Sequence, residues 1–186
     1  MASHSLDTLL LDIAANFKNR SAFGVDVEEA VQWALLQSPR WGQTIARIHR
    51  WETWAKATHH PLPQDLGIDL MVELYDGSLI AVQSKGYDAH RAGTSPEKKT
   101  VDVATVMKLV GLHPTLPAGT QLLVVTTGRG FGRNAAAFNT ASRTKVIVMD
   151  RQQMRDTGTF PVTLSELIEA VRAEKLRRRD AIIPAA

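Results

Sequence analysis

The chain has 186 residues, 44% hydrophobic and 22% charged, with 22 Lys and Arg against 19 Asp and Glu for a net charge of +3. That length and balance suit one soluble domain built on a single core. Cysteine is absent, which excludes disulfides and thiolate zinc sites.

No apolar run reaches transmembrane length, and the start lacks a basic segment followed by an apolar one, so the expected location is the cytoplasm. A pI of about 9.4 permits a nucleic-acid partner without demonstrating one. Leu6, Leu9, Leu10, Ile13, Ala14 and Phe17 fall at helical spacing and predict a first helix, which Asn19-Arg20-Ser21 breaks. Val27 to Leu36 reads as a second, with Asp26 as N-cap and Pro39 just beyond its end. Gln43 to Ala57 reads as a third, placing Ile45, Ile48, Glu52 and Ala55 on one face. Glu52 would then lie on the apolar stripe, or at its edge as a partly exposed glutamate. Trp51 and Trp54 read as packing residues, and His59-His60-Pro61-Leu62-Pro63 as a loop without a metal-ligand spacing. Asp65 reads as a turn cap or an outer-sphere carboxylate.

The centre of the chain is Asp65 to Tyr87. Ile68 to Tyr75 and Ser78 to Lys85 read as two strands around Asp76-Gly77, a strong hairpin signal. Asp69 sits inside an apolar strand, and Gln83 and Lys85 lie two apart, so they share a face. Pairing around the turn brings all three together. A buried carboxylate requires an ion pair or a metal. Either Asp69 pairs with Lys85 structurally, or Asp69, the Gln83 amide oxygen and a main-chain carbonyl near Ser84 form a hard-cation site for Mg²⁺. In that second case Lys85 would orient and activate a water and offset phosphate charge.

Gly-Ile-Asp-Leu, the hairpin and Ala-Val-Gln-Ser-Lys together resemble the core of the PD-(D/E)xK nuclease superfamily, and most closely its Mrr-like branch with a Gln-x-Lys motif. Within that branch the chain resembles the N-terminal nuclease domain of type ISP restriction–modification enzymes and related helicases. The resemblance implies an α/β/α restriction-endonuclease-like fold whose central mixed sheet starts with the hairpin. It implies Mg²⁺ (Mn²⁺ substituting) as cofactor, DNA as substrate, Asp69, Gln83 and Lys85 as catalytic residues, and Glu52 as an acidic group completing the site. Gln83 stands where many relatives carry Glu or Asp, leaving one fewer negative charge for the metal.

Beyond the hairpin, Gly86 to Lys99 reads as a polar loop, solvated or DNA-facing, holding Tyr87, Asp88, His90, Arg91, Lys98 and Lys99. Val101 to Leu112 is the next helix, with Thr100 as its cap. In the family fold this helix lies near the active site, so Lys108 is either a phosphate contact or an ordinary solvated lysine. Gln121 to Thr127 suits a central strand. Gly128-Arg-Gly-Phe-Gly-Arg133 misses the dinucleotide and P-loop fingerprints. It leaves Arg129 and Arg133 near a helix N-terminus as phosphate contacts. Lys145 to Met149 is a further strand, and Thr163 or Ser165 caps a last helix to Arg178. The domain is expected to span 1–178 (1–42 helical, 43–178 nuclease core), with 179–186 a basic tail or linker toward a helicase or methyltransferase. The expected function is a Mg²⁺-dependent DNA endonuclease of restriction or defence type, able to pair transiently on DNA. The alternative is a catalytically inactive DNA-binding module of the same fold.

Overall fold

The computed structural model describes residues 5–16, 19–62, 64, 67–87 and 98–182. Asp65, Asp88, His90, Arg91 and the segment 183–186 lie outside the described residues. Two helices open the chain, α1 (Ser5–Ala15) and α2 (Arg20–Gln37). Asn19, read above as a break, is instead the N-cap of α2: its side chain accepts the Ala22 amide at 2.9 Å, and the helix begins before Asp26. Gly24 inside the helix is what hides this continuity, since glycine lowers helix propensity.

The segment expected as a third helix is β1 (Ile45–Arg50) followed by the short α3 (Trp51–Ala57). β1 pairs antiparallel with β2 (Leu70–Leu74), and the register shifts between Ile45 and Arg47. An extra residue in a strand turns two side chains three apart onto the same face. Ile45 and Ile48 therefore both enter the core that α2 covers, mimicking helical spacing.

β2 continues into β3 (Leu79–Lys85) through the Asp76-Gly77 turn. The Leu74 amide donates to Ser78, Asp76 accepts both the Ser78 amide and hydroxyl, and Gly77 takes φ +82°. The chain then runs through β4 (Thr100–Val101), α4 (Val103–Leu112), a 3₁₀ turn (His113–Thr115), β5 (Gln121–Thr126), β6 (Arg129–Phe131), α5 (Arg133–Ala141), β7 (Val146–Met149), α6 (Arg151–Arg155) and α7 (Leu164–Ile182). α4 is capped by Asp102 rather than Thr100, which belongs to β4. Helix α7 continues to Ile182 through positions assigned above to a tail.

The main sheet has the order β1-β2-β3-β5-β7, antiparallel in its first three strands and parallel across β3, β5 and β7. Its two faces carry separate cores. Leu70, Val72, Ile80, Val82, Leu123 and Val125 pack toward α1, α2 and α7. Met71, Ala81, Leu122 and Val124 pack toward α3, α4 and α5. This is the expected α/β/α layering around a mixed sheet. Arg178 of α7 is 7% exposed and clips the edge at β1, donating to the carbonyls of Leu36, Gly42 and Ile45 and to Glu174. Among the described residues no helix is long and apolar enough to cross a membrane.

Candidate active site

The hairpin register decides which side chains meet. Leu70 stands opposite Val82, and the Asp69 amide donates to the Val82 carbonyl at 2.9 Å. Asp69 therefore lies across from Gln83. Met71 and Ala81 belong to the core under α3, α4 and α5, and alternation puts Asp69, Gln83 and Lys85 on that same side.

Asp69 is held from three directions. Its carbonyl accepts the Trp51 amide at 2.9 Å, its amide is bonded to Val82, and its carboxylate Oδ2 accepts the Ser84 amide at 2.5 Å. A backbone donor, the Ser84 amide, thus holds the carboxylate beside Lys85. Such a bond fixes the orientation of the carboxylate.

Gln83 is 6% exposed, and its Oε1 has no hydrogen-bond partner among the described residues. A buried acceptor left so costs on the order of 1–3 kcal/mol. The cost is repaid when a cation takes the oxygen, so the donor set fits a hard divalent ion. The Ser84 carbonyl completes it. Along β3 the Val82 carbonyl serves Asp69 while the Lys85 carbonyl serves Thr127 of the β5 side, so alternation turns the Ser84 carbonyl toward Asp69.

Lys85 closes the strand beside Thr126 of β5. Gly86 follows because a Cβ there would strike Val27 and Phe23 of α2 at 2.8 and 2.9 Å. The sequence reading missed Asp102. Its carboxyl is held below the usual carboxylate range, first by the Thr105 amide it caps and last by the positive charge of Lys85. An acidic group therefore stands within electrostatic reach of Lys85. The signal in the sequence is an acid just before an apolar helix, masked by Thr100, which offers a competing cap two residues earlier. Tyr87, whose hydroxyl donates to the Thr100 carbonyl, is pushed up by burial and then by Asp102.

Glu52 departs from expectation. It occupies the first turn of α3 with 65% of its side chain exposed, 3.9 Å from Lys56. The apolar face it was to share does not exist, because Ile45 and Ile48 are in a strand. Trp51, its neighbour, is buried against Trp54 and His60 and donates to the Gln64 carbonyl, a packing role. His60 also bonds the Thr115 carbonyl and pins the loop. Among the described residues no group of three His, Cys, Asp or Glu could hold a metal without main-chain or amide oxygens.

The basic candidates gather through the small parallel ladder β4–β6. The Arg129 amide donates to the Lys99 carbonyl at 2.7 Å, and the Gly132 amide to Val101. Gly128 fits against the Lys99 carbonyl and the Tyr87 ring, where a Cβ has no room. Lys98, Lys99, Arg129 and Arg133 are all exposed around this ladder, beyond the carboxyl ends of β3 and β5. The glycine-rich segment is thus a strand, not merely a turn. Lys108 lies elsewhere, its arm against Gly67 just before Asp69.

A family model described as restriction endonuclease matches residues 36–159, two thirds of the chain and all of the hairpin and parallel strands. This chain belongs to the Mrr-like restriction endonuclease family. Two solved structures are similar to this Mrr-like domain in fold. MspJI restriction endonuclease in complex with a 27-mer oligonucleotide has 15% identity and a TM-score of 0.55, with 93% of this chain and 36% of that one covered. AspBHI, a DNA modification-dependent restriction endonuclease, has 19% identity and a TM-score of 0.54, with 95% and 41% covered. The chain thus spans less than half the length of either. No curated protein matches.

Proposed function

We propose that this Mrr-like domain is a divalent-metal-dependent DNA endonuclease acting in restriction or defence. One observation carries the reading: the buried, partnerless Gln83 Oε1 stands directly across the hairpin from the Asp69 carboxylate. Asp69, Gln83 Oε1 and the Ser84 carbonyl would hold Mg²⁺, or Mn²⁺ in its place. That ion supplies Lewis-acid polarisation of the scissile phosphate and acidifies water.

The chain's own residues do the rest. The Ser84 amide fixes the Asp69 carboxylate so that little reorganisation is needed on binding. Lys85, one pleat beyond Gln83, donates to the attacking water and offsets charge gathering on the phosphate. Asp102, whose carboxyl feels the Lys85 charge, offsets part of it. Lys98, Lys99, Arg129 and Arg133 grip the DNA backbone without reading bases. Targeting would be supplied by a fused or associated helicase or methyltransferase, and cutting of both strands by two copies meeting on DNA. Glu52, exposed in the first turn of α3, is available to a second ion and is not needed for the first.

Plasmid cleavage in Mg²⁺ or Mn²⁺ tests the reading. The parent should nick or linearise, and Asp69→Asn and Lys85→Ala should do neither. The second reading, a DNA-binding module that does not cut, draws on Gln83 in place of an acid and the small number of carboxylates at the site. It requires DNA retardation with no cleavage in any divalent ion.

A further inference from the structure

Gly67 is buried, has φ +87°, and lies two residues before Asp69. A Cβ at this position would meet the Lys108 side chain at Nζ (2.5 Å), Cε (2.7 Å) and Cδ (3.1 Å). The arm of Lys108 therefore occupies the space a side chain at position 67 would take. Lys108 belongs to α4, whose Thr105, Val106 and Leu109 are buried against the sheet face that carries Asp69 and Gln83. The N-cap of the same helix, Asp102, feels the positive charge of Lys85. The helix sequence, Val-Ala-Thr-Val-Met-Lys-Leu-Val-Gly-Leu, contains no acid, so no carboxylate one turn away neutralises Lys108. The residue is solvent-exposed even though its arm is seated.

We propose that Gly67 and Lys108 form a phosphate clamp. The missing side chain at position 67 is the seat, and the Lys108 ammonium, delivered to the Asp69 end of the site, binds a phosphate of the DNA backbone. The clamp deepens the nuclease reading and rests on it for the identity of the polyanion. Lys85 on β3 and Lys108 on α4 then offer two ammonium groups to the bound strand. The end of the lysine side chain, Nζ and Cε together, lies against the glycine, which restricts its rotamers, so less entropy is lost when the phosphate arrives. A freely solvated lysine would lack that advantage.

The test is binding of a short fluorescein-labelled duplex in EDTA, where nothing is cut, together with Mg²⁺-dependent cleavage of the same duplex. Lys108→Met keeps the apolar arm and removes the charge. It should weaken binding about 3- to 10-fold and lower the slope of log affinity against log salt by about one. Lys108→Arg should restore both. Circular dichroism of each variant should match the parent. Unchanged affinity and salt slope in Lys108→Met would overturn the clamp even if the parent cleaves. A Lys108-dependent salt slope with no cleavage in any metal would instead uphold the clamp and sink the nuclease.

Discussion

The Ser84 amide donates to the Asp69 carboxylate at 2.5 Å, across the two strands of one hairpin. This bond ties the acid to the residue between Gln83 and Lys85. Any movement of β3 relative to β2 is thereby felt at the carboxylate.

Asp69→Asn keeps the shape and removes the charge. Since losing even an outer-shell partner of a metal ligand costs about 10- to 100-fold in affinity or activity, cleavage should fall at least about 100-fold. Gln83→Glu should act oppositely on metal binding. The half-saturating Mn²⁺ concentration for cleavage should drop, while two facing carboxylates make the metal-free protein less stable by on the order of 1–3 kcal/mol. Equal midpoints in urea with EDTA and unchanged Mn²⁺ dependence would contradict the assigned geometry.

Arg178 is the clip on the β1 edge. Removing its guanidinium leaves the carbonyls of Leu36, Gly42 and Ile45 without that donor, while Glu174 keeps its bonds from Arg177. Arg178→Ala should cost about 2–4 kcal/mol in urea unfolding, from the buried carbonyls that lose a donor. Lysine cannot span the same acceptors and should recover only part of it.

Acid sensitivity should be traceable to Asp7. Burial pushes its carboxyl up, yet the Arg155 and Arg151 guanidiniums prevail and hold it below the ordinary value. A depressed folded-state value means stability present above the unfolded value, about pH 4, and lost as pH falls through the folded one. The stability gap between parent and Asp7→Asn should therefore be full at neutral pH and close below about pH 4. A gap independent of pH would refute this.

Two glycines predict opposite signs. A Cβ at Gly128 meets the Lys99 carbonyl and Tyr87 ring, so Gly128→Ala should destabilise by about 1–3 kcal/mol and loosen the β4–β6 ladder. Gly111 in α4 has open space around it, so Gly111→Ala should stabilise by up to about 1 kcal/mol. Thermal melts of the two variants check both.

Local chemistry made the hairpin legible. Asp76-Gly77 selects a tight turn, and a tight turn fixes the register that sets Asp69 opposite Gln83. The period of two then places Lys85 on the same face. The family motif was readable for the same reason, since its residues lie within one supersecondary unit.

What the sequence could not settle depended on partners distant in the chain. Ile45 and Ile48 have helical spacing, and only the bulged pairing with β2 makes them strand residues on one face. With that strand in place, Glu52 is left on an exposed helix turn. Asp102 acquires its relation to Lys85, and Lys108 its seat on Gly67, only when α4 packs across the sheet. A side chain's role at a site depends on what lies within a few ångströms, and for these residues the fold alone decides that distance.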